Sequence, residues 1–226
     1  MNIPLKHRIL ARGRRISIRI AKDGTIILTR PRVVSERTAL RFLEEKKEWA
    51  LKHIQHIQKQ KTRMASLQWK DDGLIPFLDQ ELILSVALSR GRSPIHRVEN
   101  TLHVSAHPDD SERIKTLVER WYRLQAEHYF HLTCSSLVQK LGVSFRRISI
   151  KGQTSRWGSC SKQGNLNFNW KLMMAPELVA FSVAVHECCH LVHLNHSSQF
   201  WNLVYRLCPR YKDAAQWLKE QGGTLG

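Results

Sequence analysis

Acidic side chains are scarce in this chain: 19 Asp or Glu stand against 36 Lys or Arg over 226 residues, a formal charge of +17. That excess excludes an acidic, solvating composition and points to a polyanion among the partners, nucleic acid being the class it raises. Long apolar runs are lacking as well. No run of about 18 apolar residues occurs, so neither a transmembrane helix nor a membrane partner is expected. The opening stretch MNIPLKHRILARGRRISIRI is broken by basic residues before an apolar signal segment can form, and the expected location is cytoplasmic. Cysteine is too sparse for a disulfide framework: there are five, an odd number, with Cys188 and Cys189 adjacent in an apolar segment. Reduced thiols are expected. Internal repeats, low-complexity tracts and long linkers are also missing, while 42% hydrophobic residues suffice for an ordinary globular core.

What is present divides into two regions. In the first, residues 1–107, RRISIRI alternates up to Ile20, the turn Lys22-Asp23-Gly24 follows, and Thr25 to Thr29 is β-rich, which together predict a hairpin. Ser35 is placed to cap a long helix near 36–60, with Leu40, Leu43, Leu51, Ile54 and Ile57 at helical spacing. Short β segments are expected at Ile75 to Leu78, Glu81 to Leu88, Ile95 to Val98 and Thr101 to Ser105, the middle pair separated by a Gly91 to Pro94 turn. The stretch HPDDSE, His107 to Glu112, reads as a helix start and module boundary, opening a second domain over 108–226. Ile114, Leu117, Val118, Trp121 and Leu124 then keep helical spacing towards Leu137. Strands are expected at Arg146 to Ile150, Thr154 to Cys160 and Leu166 to Leu172. Pro176 suits the first position of a further helix, with Glu177 opposing its positive end. Residues 140–171 hold seven Lys or Arg and no Asp or Glu.

The chemistry concentrates in VAVHECCHLVHLNHSSQFW, Val183 to Trp201. His186 and His190 are separated by about 40° and about 6 Å on a helix, so one metal ion can bridge both imidazoles. Glu187 projects about 100° away, where its carboxylate can approach a metal-activated water without becoming a ligand. A hydrolytic site needs a third protein ligand and an open position. His193 returns to the same face but lies about 10 Å along the axis, and reaches the ion only by leaning back. His196 faces it only if the helix ends first. Asn195 tolerates the left-handed conformation that ends helices, and Ser197 can cap a following helix bearing Phe200, Trp201, Val204 and Leu207. His196 is therefore the expected third ligand. Cys188 points away from the histidines, and Cys189 lies nearer the site's edge; buried cysteines acting as small hydrophobes is the simpler reading.

The spacing of His186, Glu187, His190 and His196 matches the metzincin pattern H-E-x-x-H-x-x-G-x-x-H, with His193 in place of glycine. No methionine follows His196, so a Met-turn is missing and metzincin membership is rejected. The chain more closely resembles the YgjP-like metal-dependent hydrolases, zincins related to the SprT-like and WLM metallopeptidases. RRISIRI, RWGSCSKQGNLNFNWKLMMAP at Arg156 to Pro176, and HECCHLVHLNHSSQFW at His186 to Trp201 carry the likeness. It implies a minimal zincin-like catalytic domain of a small sheet plus active-site helices; preceded by the β-rich N-terminal region with one long helix read above, this makes the expected fold class α+β. The likeness implies one Zn2+ held by His186, His190 and His196, Glu187 as catalytic residue, and peptidase-type activity on a peptide or protein.

Zinc would lower the pKa of its water towards about 7, and Glu187 would take the proton and hand it to the leaving amine. Asn165 to Lys171 is the expected sheet edge for an added substrate strand. Arg156 is a candidate for an oxyanion or a substrate carboxylate, and Tyr205 for an oxyanion. Two other readings stand beside the zinc-dependent metallopeptidase: a nucleic-acid-associated protein carrying the zincin core on a basic surface, and a non-catalytic zinc-stabilised fold.

Overall fold

The structure, a computed structural model, describes residues 4–10, 15–21, 25–51, 54–55, 69–88, 94–153 and 156–225. The chain divides into two compact units, Met1–Met64 and Ala65–Gly226. The expected boundary at 107/108 falls inside the second.

In the first unit, β3 (Ile26–Pro31) is the central strand of three. β2 (Ser17–Ile20) pairs with it antiparallel, Ile20 opposite Ile26, which realises the expected hairpin; the turn at 22–24 lies outside the described residues. β1 (Leu5–Leu10) lies parallel on the other side, a pairing the sequence did not announce. Ser35 caps α1 (Glu36–Glu45) as expected, its hydroxyl accepting from Thr38 N at 3.1 Å. The single long helix is corrected. At Lys46 the amide is shared between the Phe42 and Leu43 carbonyls, tightening the backbone, and helical residues resume at 47–51. Ile57 lies outside the described residues. Ile26, Ala50 and Ile54 form the small core, with Ile18, Ile20 and Leu43 against it.

Among its described residues the second unit carries two sheets and four α-helices. β4 (Leu74–Phe77), β5 (Gln80–Ala87), β6 (Ile95–Val98) and β7 (Thr101–Ser105) form a sheet in the order β4-β5-β7-β6, within a residue of the expected positions. α2 (Ser111–Leu141) runs from the Asp110 cap to Gly142, whose left-handed φ of 66° ends it. Its buried stripe, Ile114 through Leu117, Trp121, Phe130 and Cys134 to Leu137, is the spine of the core. Phe130 stacks on Phe168 with centroids 4.1 Å apart. Although α2 is long, its charged face disqualifies it, and among the described residues no helix is long and apolar enough to cross a membrane.

The second sheet bears on function most. β8 (Arg147–Lys151) pairs parallel, and β9 (Gly158–Cys160) antiparallel, with β10 (Asn165–Asn169) between them. Leu166 and Phe168 turn into the core while Asn165, Asn167 and Asn169 take the opposite face, the period of two expected of a half-buried strand. Strand Leu166 to Leu172 ends early: Trp170–Met174 is a 3-10 turn started by Asn169, whose side chain accepts from Lys171 N. β10 is therefore the central strand, and Asn165 to Lys171 cannot offer the free edge expected of it. Among the described residues the edges are β8 and β9, and β9 is the one that packs on α3 (Glu177–Cys189). α4 (Ser198–Leu207) and α5 (Tyr211–Gln221) pack against α3 in turn. The mixed α+β class, with small sheets beside helices, is as expected.

Candidate metal centre

α3 is held on nearly every side. Val179, Ala180, Val183, Ala184, Val185, Cys188 and Cys189 are all buried, so the helix axis is fixed by packing and its polar residues take their positions from it. Pro176 is the cap rather than the first helical residue, and Asp79 Oδ1 accepts from Glu177 N at 3.4 Å. α3 stops at Cys189, not near Asn195. Beyond it Leu191 still packs against the core, but Val192 is 41% and Leu194 62% exposed. Amides of Leu191 and Val192 bond to the carbonyls of Cys188 and Cys189, three residues back, so the chain reverses in tightened turns. Asn195 does not take the left-handed conformation; among the described residues that region holds Asp72, Leu78 and Glu99 besides glycines. Its side chain instead accepts from Ser197 N at 3.4 Å, and Ser197 caps α4 through Phe200 N, also at 3.4 Å.

This reversal brings His196 to the two helix histidines. His186 Nε2 lies 3.2 Å from His190 Nε2 and 3.1 Å from His196 Nε2. One ligand atom from each residue lies within 4.8 Å of the other two. Nitrogens bound at about 2.0–2.1 Å to one tetrahedral ion would stand about 3.3 Å apart, so the donor set fits such an ion. Burial, and then the neighbouring His190 and His196, push His186 down to about 4, and burial pushes His190 down too. Neutral imidazoles keep the lone pairs that a metal requires. The outer nitrogens have partners of their own: His190 Nδ1 lies 3.0 Å from the His193 carbonyl, and His186 Nδ1 lies 3.0 Å from the Tyr211 hydroxyl. His193 thus contributes through its backbone. Phe200 contacts all three rings at centroid distances of 4.5–5.0 Å, and Trp201 closes the side nearer His186 and His196.

Glu187 is 6% exposed. Burial pushes its carboxyl up to about 7, against a downward pull from the Arg156 charge. It fits because residue 158 has no side chain: a Cβ there would lie 2.6 Å from Glu187 Oε1. Arg156, exposed, is thus electrostatically coupled to Glu187. Tyr205 stacks on Trp201 and meets Tyr211 edge-on, one ring removed from His186. Cys188 hydrogen-bonds Cys134 of α2, which together with burial raises its thiol, and burial pushes Cys189 up to about 12. Both remain core thiols.

Sequence reasoning missed Gly158, Phe200 as the floor of the cluster, and Tyr211. Glycine inside a strand next to another element is a signal of close approach and was available for Gly158. Nothing local marks Tyr211, which joins His186 across 25 residues.

The YgjP-like metallopeptidase domain model matches residues 14–221, and the chain belongs to that family. Its members are metal-dependent hydrolases, the class to which this histidine cluster is suited. No curated protein matches the chain. Among solved structures, the chain is similar to the metallopeptidase zymogen of Pyrococcus abyssi abylysin, with 22% identity and a TM-score of 0.37 over 40% of this chain and 92% of that one.

Proposed function

We propose that this chain is a zinc-dependent metallopeptidase, with one ion held by His186, His190 and His196 and Glu187 as general base. The observation that carries the reading is the convergence of three Nε2 atoms beside a buried carboxylate that takes no part in their cluster. Zinc, when bound, supplies Lewis acidity that brings a water's pKa towards about 7 and polarises a carbonyl.

The protein's own residues do the rest. Glu187, poised at about 7 by burial, accepts the proton of the attacking water and returns it to the leaving amine. Phe200 and Trp201 wall the cluster and exclude bulk water from that side. β9 lines its free edge beside Glu187, so an extended peptide adding to it brings a backbone carbonyl into reach. Arg156 at the start of that edge supplies positive charge for a developing oxyanion or a substrate carboxylate. The test is cleavage of unstructured protein and peptides by chelator-treated enzyme, with and without added zinc. Activity should vanish and return with zinc; chelator-insensitive cleavage would contradict the reading.

A second reading, nucleic-acid association, is favoured by one observation. Arg146, Arg147, Lys151, Arg156 and Lys162 are exposed around the β8-β10-β9 sheet and form no ion pair among the described residues. Duplex binding that weakens steeply between about 50 and 200 mM salt would support it, and salt-independent binding would oppose it.

A further inference from the structure

The three histidines are not held alike. His190 is fixed by its own chain, through the His193 carbonyl three residues on. His186, at the centre of the cluster and nearest both others, has its outer nitrogen met by a side chain from a different element: the hydroxyl of Tyr211, at 3.0 Å. Tyr211 is the first residue of α5, set by the turn in which its amide bonds the Cys208 carbonyl at 3.0 Å. Its ring plane and that of His186 are inclined by 16° in a stacked arrangement, with centroids 6.0 Å apart.

A neutral imidazole carries one N–H. If Nε2 is to offer its lone pair, the proton must sit on Nδ1, and the Tyr211 oxygen is placed to accept it. Partners of this kind set tautomer and ring orientation. The tyrosine also rests against Trp201, with centroids 5.7 Å apart at 62°, so it has little freedom to leave.

We propose that Tyr211 is the positioning residue of the centre, holding His186 in its Nδ1–H tautomer and aiming Nε2 at the ion. The proposal rests on the reading that the histidines bind a metal. It assigns no contact with substrate.

The experiment compares wild type with Tyr211→Phe and Tyr211→Ala. Zinc affinity is measured by competition with a chromophoric chelator, and the His186 tautomer by nitrogen-resolved NMR of the metal-free protein. Tyr211→Phe keeps the ring and loses only the hydroxyl, so its metal-free melting temperature should match wild type while zinc affinity falls about 10–100-fold. Tyr211→Ala should lose at least as much affinity. In wild type the Nδ1–H form of His186 should dominate, and in Tyr211→Phe it should give way to a mixture. A Phe variant with wild-type affinity and an unchanged tautomer would overturn the proposal, because ring packing would then account for Tyr211. Should wild type bind no zinc, the metal reading fails by itself. The tautomer comparison still decides the role of Tyr211: loss of the Nδ1–H form in Tyr211→Phe upholds it, and no change overturns it.

Discussion

A Cβ on Gly158 would stand 2.6 Å from Oε1 and 2.8 Å from Cγ of Glu187, so the β9 backbone and the α3 carboxylate leave no room for a methyl group between them. Val183 Cγ1, 2.9 Å from the same point, closes the other escape. Strand and helix are thus spaced to hold the carboxylate between them, and the arrangement has measurable consequences.

Gly158→Ala must push the Glu187 side chain aside. A displacement of about 1 Å at a reacting group can cost about 100-fold, and overpacking costs about 1–3 kcal/mol. Turnover should fall by that order with zinc content unchanged, because the substitution touches no histidine. Steady-state kinetics on preparations of measured metal content would check this.

The buried carboxyl also makes the metal-free protein sensitive to pH. Glu187 sits at about 7 when folded, above an unfolded value of about 4.3. The folded state therefore holds the proton more tightly, and that stabilisation is complete below about pH 4 and lost as pH rises through about 7. His186 works oppositely. Pushed down to about 4, it contributes stability above its unfolded value of about 6.5, which is lost as pH falls towards 4. Glu187→Gln removes only the first effect. Its stability relative to wild type should grow by up to about 3 kcal/mol between pH 4 and 8, measured by denaturant unfolding without metal. A difference independent of pH would contradict the placement of Glu187.

Ser197 caps α4 and marks the end of the reversal that presents His196. Ser197→Ala should cost about 1 kcal/mol in unfolding free energy. Zinc affinity should drop several-fold, because His196 alone of the three lies outside α3 and its cap. Chelator competition beside thermal unfolding would separate the two effects.

Far from the centre, Phe130→Ala removes the ring stacked on Phe168 beneath β10. Loss of a buried phenyl ring should cost about 3–5 kcal/mol. Unfolding curves would show this as a lowered midpoint.

The parts of this site that sequence made legible are those set by short-range periodicity. The shared face of His186 and His190 and the turn of Glu187 off that face follow from helical geometry, and the Ser197 cap from residue type. Expectation departed from structure where non-local packing decides. Asn165 to Lys171 is the substrate edge that the zincin resemblance implies, yet its place between β8 and β9 is set by strand pairing across the chain. The helix stop was expected at Asn195, from its tolerance of left-handed backbone. It comes at Cys189 instead, where burial ends, and Asn195 acts through its side chain. Tyr211 and Gly158 matter through contacts between elements distant in sequence, which no local pattern displays.

Glu187→Gln, compared with wild type at equal zinc occupancy and near pH 7, tests the central claim most directly. The account predicts one zinc ion per chain in both proteins and a fall in peptide cleavage of about 100- to 10,000-fold in the variant. Cleavage at the wild-type rate by the zinc-loaded variant would contradict it.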